Sequence, residues 1–142
     1  MIRLTRRYGF SASHRLHTPA LTDRQNAELY GKCNNPRGHG HNYVLEVSVR
    51  GPLDESSARV VNVAALDGLV EARVLSRVRH RDLNTEAAGL AGAVPTTESL
   101  ALGIRDVLLE GWREVFPSGV PGLDRVRVHE TRKNIFEVPA ST

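Results

Sequence analysis

"HGHNYVLEVSVR", residues 39–50, alternates so cleanly that it sets the frame for the rest of the chain. His39, His41, Tyr43, Leu45, Val47 and Val49 fall on one parity, and Asn42, Glu46, Ser48 and Arg50 on the other. Successive side chains of a strand point to opposite faces, so this period predicts a strand with one apolar, buried face. Upstream, "IRLTRRYGFSASH" (residues 2–14) repeats the pattern through Ile2, Leu4, Tyr8, Phe10 and Ala12, with His14 on the apolar parity just past the strand's expected end. The roughly 25 polar residues between the two strands show little pattern, and a connection of that length is usually functional or mobile. Cys33 sits near its end.

Downstream, Leu66, Leu69, Val70, Val74 and Val78 recur at helical spacing behind Asn62, a capping residue type, with Gly68 weakening the helix slightly. After the break "NTEAAGLAGAVP", the segment "TTESLALGIRDVLLEGWREVF" carries a second apolar stripe at Leu100, Ile104, Val107, Leu108 and Val115. Thr96 is its expected N-cap, and Glu98 lies in a first turn where the helix dipole favours negative charge. "DRVRVHE" and "NIFEV" are short alternating runs joined by "TRK", a closing hairpin. The order ββααββ predicts an α+β fold, a four-stranded antiparallel sheet with two helices on one face. The other face stays uncovered, which favours burial against copies of the same chain as a homo-oligomer.

At 142 residues the chain is expected to form one domain, residues 1–142. Hydrophobic content of 40% with no long apolar run excludes a membrane span of about 20 residues. A net charge of +3 with scattered basic residues and 5% aromatics argues against nucleic acid as partner, while arginine suits a small polyanionic substrate. The opening "MIRLTRRYGF" lacks an apolar stretch with a cleavage site, so a cytoplasmic location is expected. Cys33, the only cysteine, has no internal disulfide partner and is a ligand, a reactive group or filler.

His39 and His41 lie two apart on a strand and project to one side, a geometry suited to chelation. An antiparallel pairing of the two strands brings His14 to them, and three imidazoles suit Zn²⁺ with a fourth position open for water or substrate. Satisfied core histidines are the bland alternative. Cys33 could close a His₃Cys structural site, pack as a small hydrophobe, or act as a thiolate whose pKa is depressed by cations near it in sequence. His80 follows the first helix, where a base and an exposed histidine look alike and the exposed reading is the more ordinary one. Glu130 shares the parity of Val126 and Val128, placing a carboxylate where a core residue is expected; it reaches solvent at the strand end or accepts from a ligand's N–H groups.

Together, "FSASHRL", "YGKCNNPRGHGHNY", "VVNVAALDGLV", "HRDLN", "TTESLA" and "VHETRKNI" resemble, in order, the motifs of the 6-pyruvoyl-tetrahydropterin synthase family, which also holds the 6-carboxy-tetrahydropterin synthases of queuosine biosynthesis. The resemblance implies the tunnelling fold, an oligomeric barrel built by rings of subunits and a hexamer of stacked trimers, with active sites between subunits. By analogy His14, His39 and His41 hold zinc, Cys33 transfers protons, His80 partners it from a neighbouring chain, Glu130 anchors the pterin, and Thr96, Thr97 and Glu98 help hold the ring. The implied substrate is 7,8-dihydroneopterin triphosphate, a small-molecule partner, and the implied reaction is loss of triphosphate with internal reduction of the ring. The five residues between Cys33 and His39 resemble the pyruvoyl-forming subgroup, with the carboxy-forming reaction and a non-catalytic zinc-dependent pterin binder as alternatives. Arg79 departs from the family, which usually places aspartate before the histidine at position 80. A cation there is expected to disfavour protonated His80, with Asp82 the candidate substitute orienter.

Overall fold

The structure, a computed structural model, describes residues 1–141. Strand β1 (Ile2–His14) and strand β2 (His39–Gly51) pair antiparallel along their whole length, from Ile2 opposite Gly51 to His14 opposite His39. The connection between them is ordered as helix α1 (Asp23–Tyr30) and a 3₁₀ turn, Gly31–Asn34. No apolar stripe announces α1, because Asn26 is its one buried residue. That amide donates to the carbonyls of Thr18, Leu21 and Thr22 and accepts from Thr18 N, while Thr22 and Gln25 form a reciprocal capping box.

Helix α2 (Val63–Val70) starts on Asn62, whose side chain accepts from Ala65 N, as its residue type predicts. It runs through a π-helical turn, Glu71–Leu75, into a last helical turn, α3 (Ser76–Val78). Leu66, Leu69, Val70, Val74 and Val78 are all buried. Then come strand β3 (Arg81–Asp82), the short helix α4 (Ala88–Ala91), the long helix α5 (Thr97–Val115), strand β4 (Gly122–His129) and strand β5 (Ile135–Pro139). Thr96 caps α5 by accepting from Ser99 N.

The sheet order is β3-β1-β2-β4-β5. The expected four antiparallel strands are present, but the count of four is corrected to five, and β3 runs parallel to β1. Backbone bonds from His80 N to Ser11 O and from Leu83 N to Ser13 O hold this two-residue strand, which is too short to leave an alternating signature. The expected pair of helices is likewise supplemented by α1 and α4. The core lies between one sheet face and the α2 and α5 stripes, through Phe10, Tyr43, Leu45, Val47, Ile104 and Leu108.

Opposite the helices, the sheet face screens itself. Glu46 and Ser48 point there yet are buried. Arg7, Arg127 and His129 crowd the Glu46 carboxylate at 3.2–3.3 Å, and the Ser48 hydroxyl bonds that of Thr5 at 2.7 Å. The Arg7 side chain stays largely exposed, whereas Arg127 Nε is buried against this face.

Candidate metal centre and active site

The β1/β2 register decides the site. It sets His14 opposite His39 and Ala12 opposite His41, so all three imidazoles share the helix-covered face at one end of the sheet. The rings of His14 and His41 lie 5.0 Å apart, those of His39 and His41 4.6 Å, each pair edge to face. His14 is 1% exposed, and its Nδ1 sits 3.0 Å from the Pro95 carbonyl oxygen. A carbonyl only accepts, so Nδ1 carries the proton and Nε2 presents a lone pair. Nε2 of His14 and Nε2 of His41 are both buried without a hydrogen-bond partner. Burial, more than the neighbouring imidazoles, lowers the His41 pKa against the opposing pull of Glu130, which favours the neutral ligand form.

One ligand atom from each of His14, Cys33, His41 and Glu130 falls within a mutual 4.8 Å. His39 stands outside this foursome, packed on the His41 ring. Two imidazoles with orphaned nitrogens, beside a thiol and a carboxylate, are a donor set that fits a borderline-soft divalent cation such as zinc.

Cys33 reaches the group on the 3₁₀ turn, which Leu16 N fastens by donating to Cys33 O at 2.6 Å, while the Asn34 amide donates to Leu16 O. The expected depression of its pKa is overturned: burial and then the Glu130 charge push the thiol up. The sequence-local cations Lys32 and Arg37 point to solvent, and the Arg15 guanidinium donates to the Asn34 carbonyl.

Glu130, just beyond β4, turns inward with its side chain 15% exposed. Its carboxylate accepts from the Thr97 hydroxyl and lies 3.3 Å from His41 Nε2 without hydrogen-bond alignment. Thr97, the first residue of α5, is buried; Thr96 is spent on its cap, and Glu98 is exposed on the first turn, outside the cluster.

His80 is exposed, with φ +56°, at the edge of the sheet. With Asp82, Ser11, Ser13, Asn42 and His41 it lines an open cavity of about 470 Å³, and it is not among the residues gathered at Cys33. Asp82 accepts from Asn84 N at 2.9 Å. The guanidinium of Arg79, the residue before His80, forms a bidentate pair with Glu71 at 2.8 and 2.9 Å, directing that cation to a carboxylate. Tyr43, which sequence reasoning took only as a core residue, ends in the cluster with its hydroxyl buried and unpartnered. Its signal was a phenol on the imidazole parity, two residues beyond His41.

A mixed sheet that gathers imidazoles, a thiol and a carboxylate at one end defines a metal-capable enzyme scaffold. The family model for 6-pyruvoyl tetrahydropterin synthase matches residues 3–141. A 6-pyruvoyl tetrahydrobiopterin synthase of Drosophila melanogaster is 43% identical over 94% of this chain and 76% of its own length; that of Homo sapiens is 42% identical over 94% and 88%. The solved 6-pyruvoyl tetrahydropterin synthase of Caenorhabditis elegans superposes with a TM-score of 0.85 at 38% identity, covering 97% of this chain and 94% of that one. The chain therefore belongs to the 6-pyruvoyl tetrahydropterin synthase family, and its activity is that of a pterin synthase lyase.

Proposed function

We propose that the chain, acting as one pterin-synthase domain over residues 1–142 in the tunnelling fold, converts 7,8-dihydroneopterin triphosphate to 6-pyruvoyl-tetrahydropterin with release of triphosphate. The observation that carries this reading is the pair of buried, unpartnered Nε2 atoms of His14 and His41 facing Cys33 and Glu130. His14, His39 and His41 would hold zinc, which when bound would supply Lewis acidity that acidifies the C–H bonds of the substrate's side chain. Cys33 takes protons from the side-chain carbons and returns them to the ring. One hydroxyl-bearing carbon becomes a ketone as the ring gains two electrons, and loss of triphosphate leaves the second ketone and a methyl group. The redox change is internal, so no external reductant enters.

Glu130 accepts the N–H edge of the pterin, with Thr97 aligning the carboxylate and Thr96 and Glu98 completing the segment beside the ring. His80 serves the Cys33 of a neighbouring subunit, in keeping with its exposed place on the sheet edge outside the group at Cys33, and Asp82 orients it. Assembly as a hexamer of stacked trimers in the cytoplasm accompanies this arrangement. Zinc-loaded protein given 7,8-dihydroneopterin triphosphate tests the reading, with products identified by mass. Pyruvoyl product and free triphosphate are expected; carboxy product with acetaldehyde assigns the queuosine-type reaction, and unchanged substrate overturns the lyase assignment. Undiminished turnover by Asp82→Ala would remove Asp82 from the mechanism.

A further inference from the structure

Tyr43 is 1% exposed, and its hydroxyl is buried without an aligned hydrogen-bond partner. A buried hydroxyl left unpaired forfeits its hydration without a replacement, and native structures hold few such groups without a reason. The ring cannot swing to find a partner elsewhere. It stacks on Phe10 with centroids 5.0 Å apart and planes 12° from parallel, and it meets His41 at 5.5 Å and His14 at 6.5 Å. Glu130, Cys33 and the Thr97 hydroxyl are the polar groups around it; the Thr97 hydroxyl is itself committed to Glu130, and none is aligned to pair with the phenol.

The phenol, a donor, thus shares the cluster with the carboxylate that lies 3.3 Å from His41 Nε2 and accepts the Thr97 hydroxyl. A heterocycle whose N–H groups face a carboxylate carries ring acceptors, a carbonyl oxygen and unprotonated nitrogens, next to those N–H groups. We propose that the Tyr43 hydroxyl is a substrate-binding donor, unpaired in the free chain and hydrogen-bonded in the complex to a pterin acceptor atom beside the N–H edge held by Glu130. This rests on the pterin-synthase reading and adds a residue that reads the ring. Glu130 alone selects for donors; Glu130 with Tyr43 selects for a donor edge flanked by an acceptor.

Tyr43→Phe removes the oxygen and keeps the ring, and the test compares it with the unaltered chain, both zinc-loaded. Titration with unphosphorylated 7,8-dihydroneopterin, followed calorimetrically, reads affinity without turnover. The variant is expected to bind about tenfold more weakly, a loss of about 1.4 kcal/mol. Its zinc content should be unchanged and its ligand-free melting temperature no lower, because the unpaired hydroxyl is gone. Affinity within about threefold of the unaltered chain overturns the proposal. A variant that unfolds or loses zinc also overturns it, by showing that the hydroxyl serves the fold or the metal. If the unaltered chain itself fails to bind dihydroneopterin, the pterin reading falls first and the Tyr43 assignment with it.

Discussion

His14 and Tyr43 project from one sheet face, and the difference between their polar ends defines how the site works. Pro95 O takes one nitrogen of His14 and so fixes which one faces the cluster, whereas the Tyr43 oxygen meets nothing aligned. Cys33→Ala is expected to leave zinc binding intact and to lower kcat by about 10²-fold or more, the scale of a lost proton-transfer group, in steady-state kinetics with metal analysis. A His41→Ala chain should instead lose the metal together with the activity, since it removes an orphaned nitrogen at the centre of the foursome. The imidazole pair was legible because strand period alone puts residues 39 and 41 on one side. The environment of Cys33 was not: its strongest charged neighbour, Glu130, arrives from the far end of the chain, and no local cation approaches the sulfur. The partner of Arg79 was hidden for the same reason, since Glu71 lies more than two helical turns upstream and meets it only after α3 ends.

Elements were legible in proportion to their apolar period. β1, β2 and the stripes of α2 and α5 follow the alternation and the helical spacing, and the caps at Asn62 and Thr96 stand where residue type put them. Asn62→Ala should cost about 1 kcal/mol of unfolding free energy in denaturant titration. The polar helix α1 left only its capping box as a signal, and β3 left none. One packing constraint lies wholly between elements: a Cβ on Gly103 would stand 1.8 Å from the Leu90 carbonyl oxygen, where α5 crosses α4. That neighbour is backbone and cannot step aside. Gly103→Ala is therefore expected to destabilise by about 1–3 kcal/mol, read as a lowered melting temperature with the far-ultraviolet spectrum retained.

For the molecule as a whole, stability should form a plateau bounded by carboxylates in acid and phenols in alkali. The Arg6 guanidinium and the Tyr8 hydroxyl hold the Asp67 carboxyl below its ordinary value, as Arg79 does for Glu71 and Ser57 for Asp54. A depressed folded pKa means stability present above the unfolded value and lost as pH falls through the folded one, so unfolding should become easier below about pH 4. Tyr8 and Tyr43 are raised above the ordinary phenol, chiefly by burial, so their contribution is full below about pH 10 and lost as pH rises beyond it. Denaturant midpoints measured across pH check both edges. Sequence by itself determined the strand period, the helical stripes, the imidazole spacing and the ordered motifs of a pterin synthase, because each is written in residues close along the chain. Tertiary structure decided what charge Cys33 meets, which atoms Glu130 and Arg79 engage, that His80 stands outside the group at Cys33, and that Tyr43 ends unpaired. Those outcomes depend on register and on contacts between distant segments, and no local pattern encodes a neighbour that folding has yet to bring.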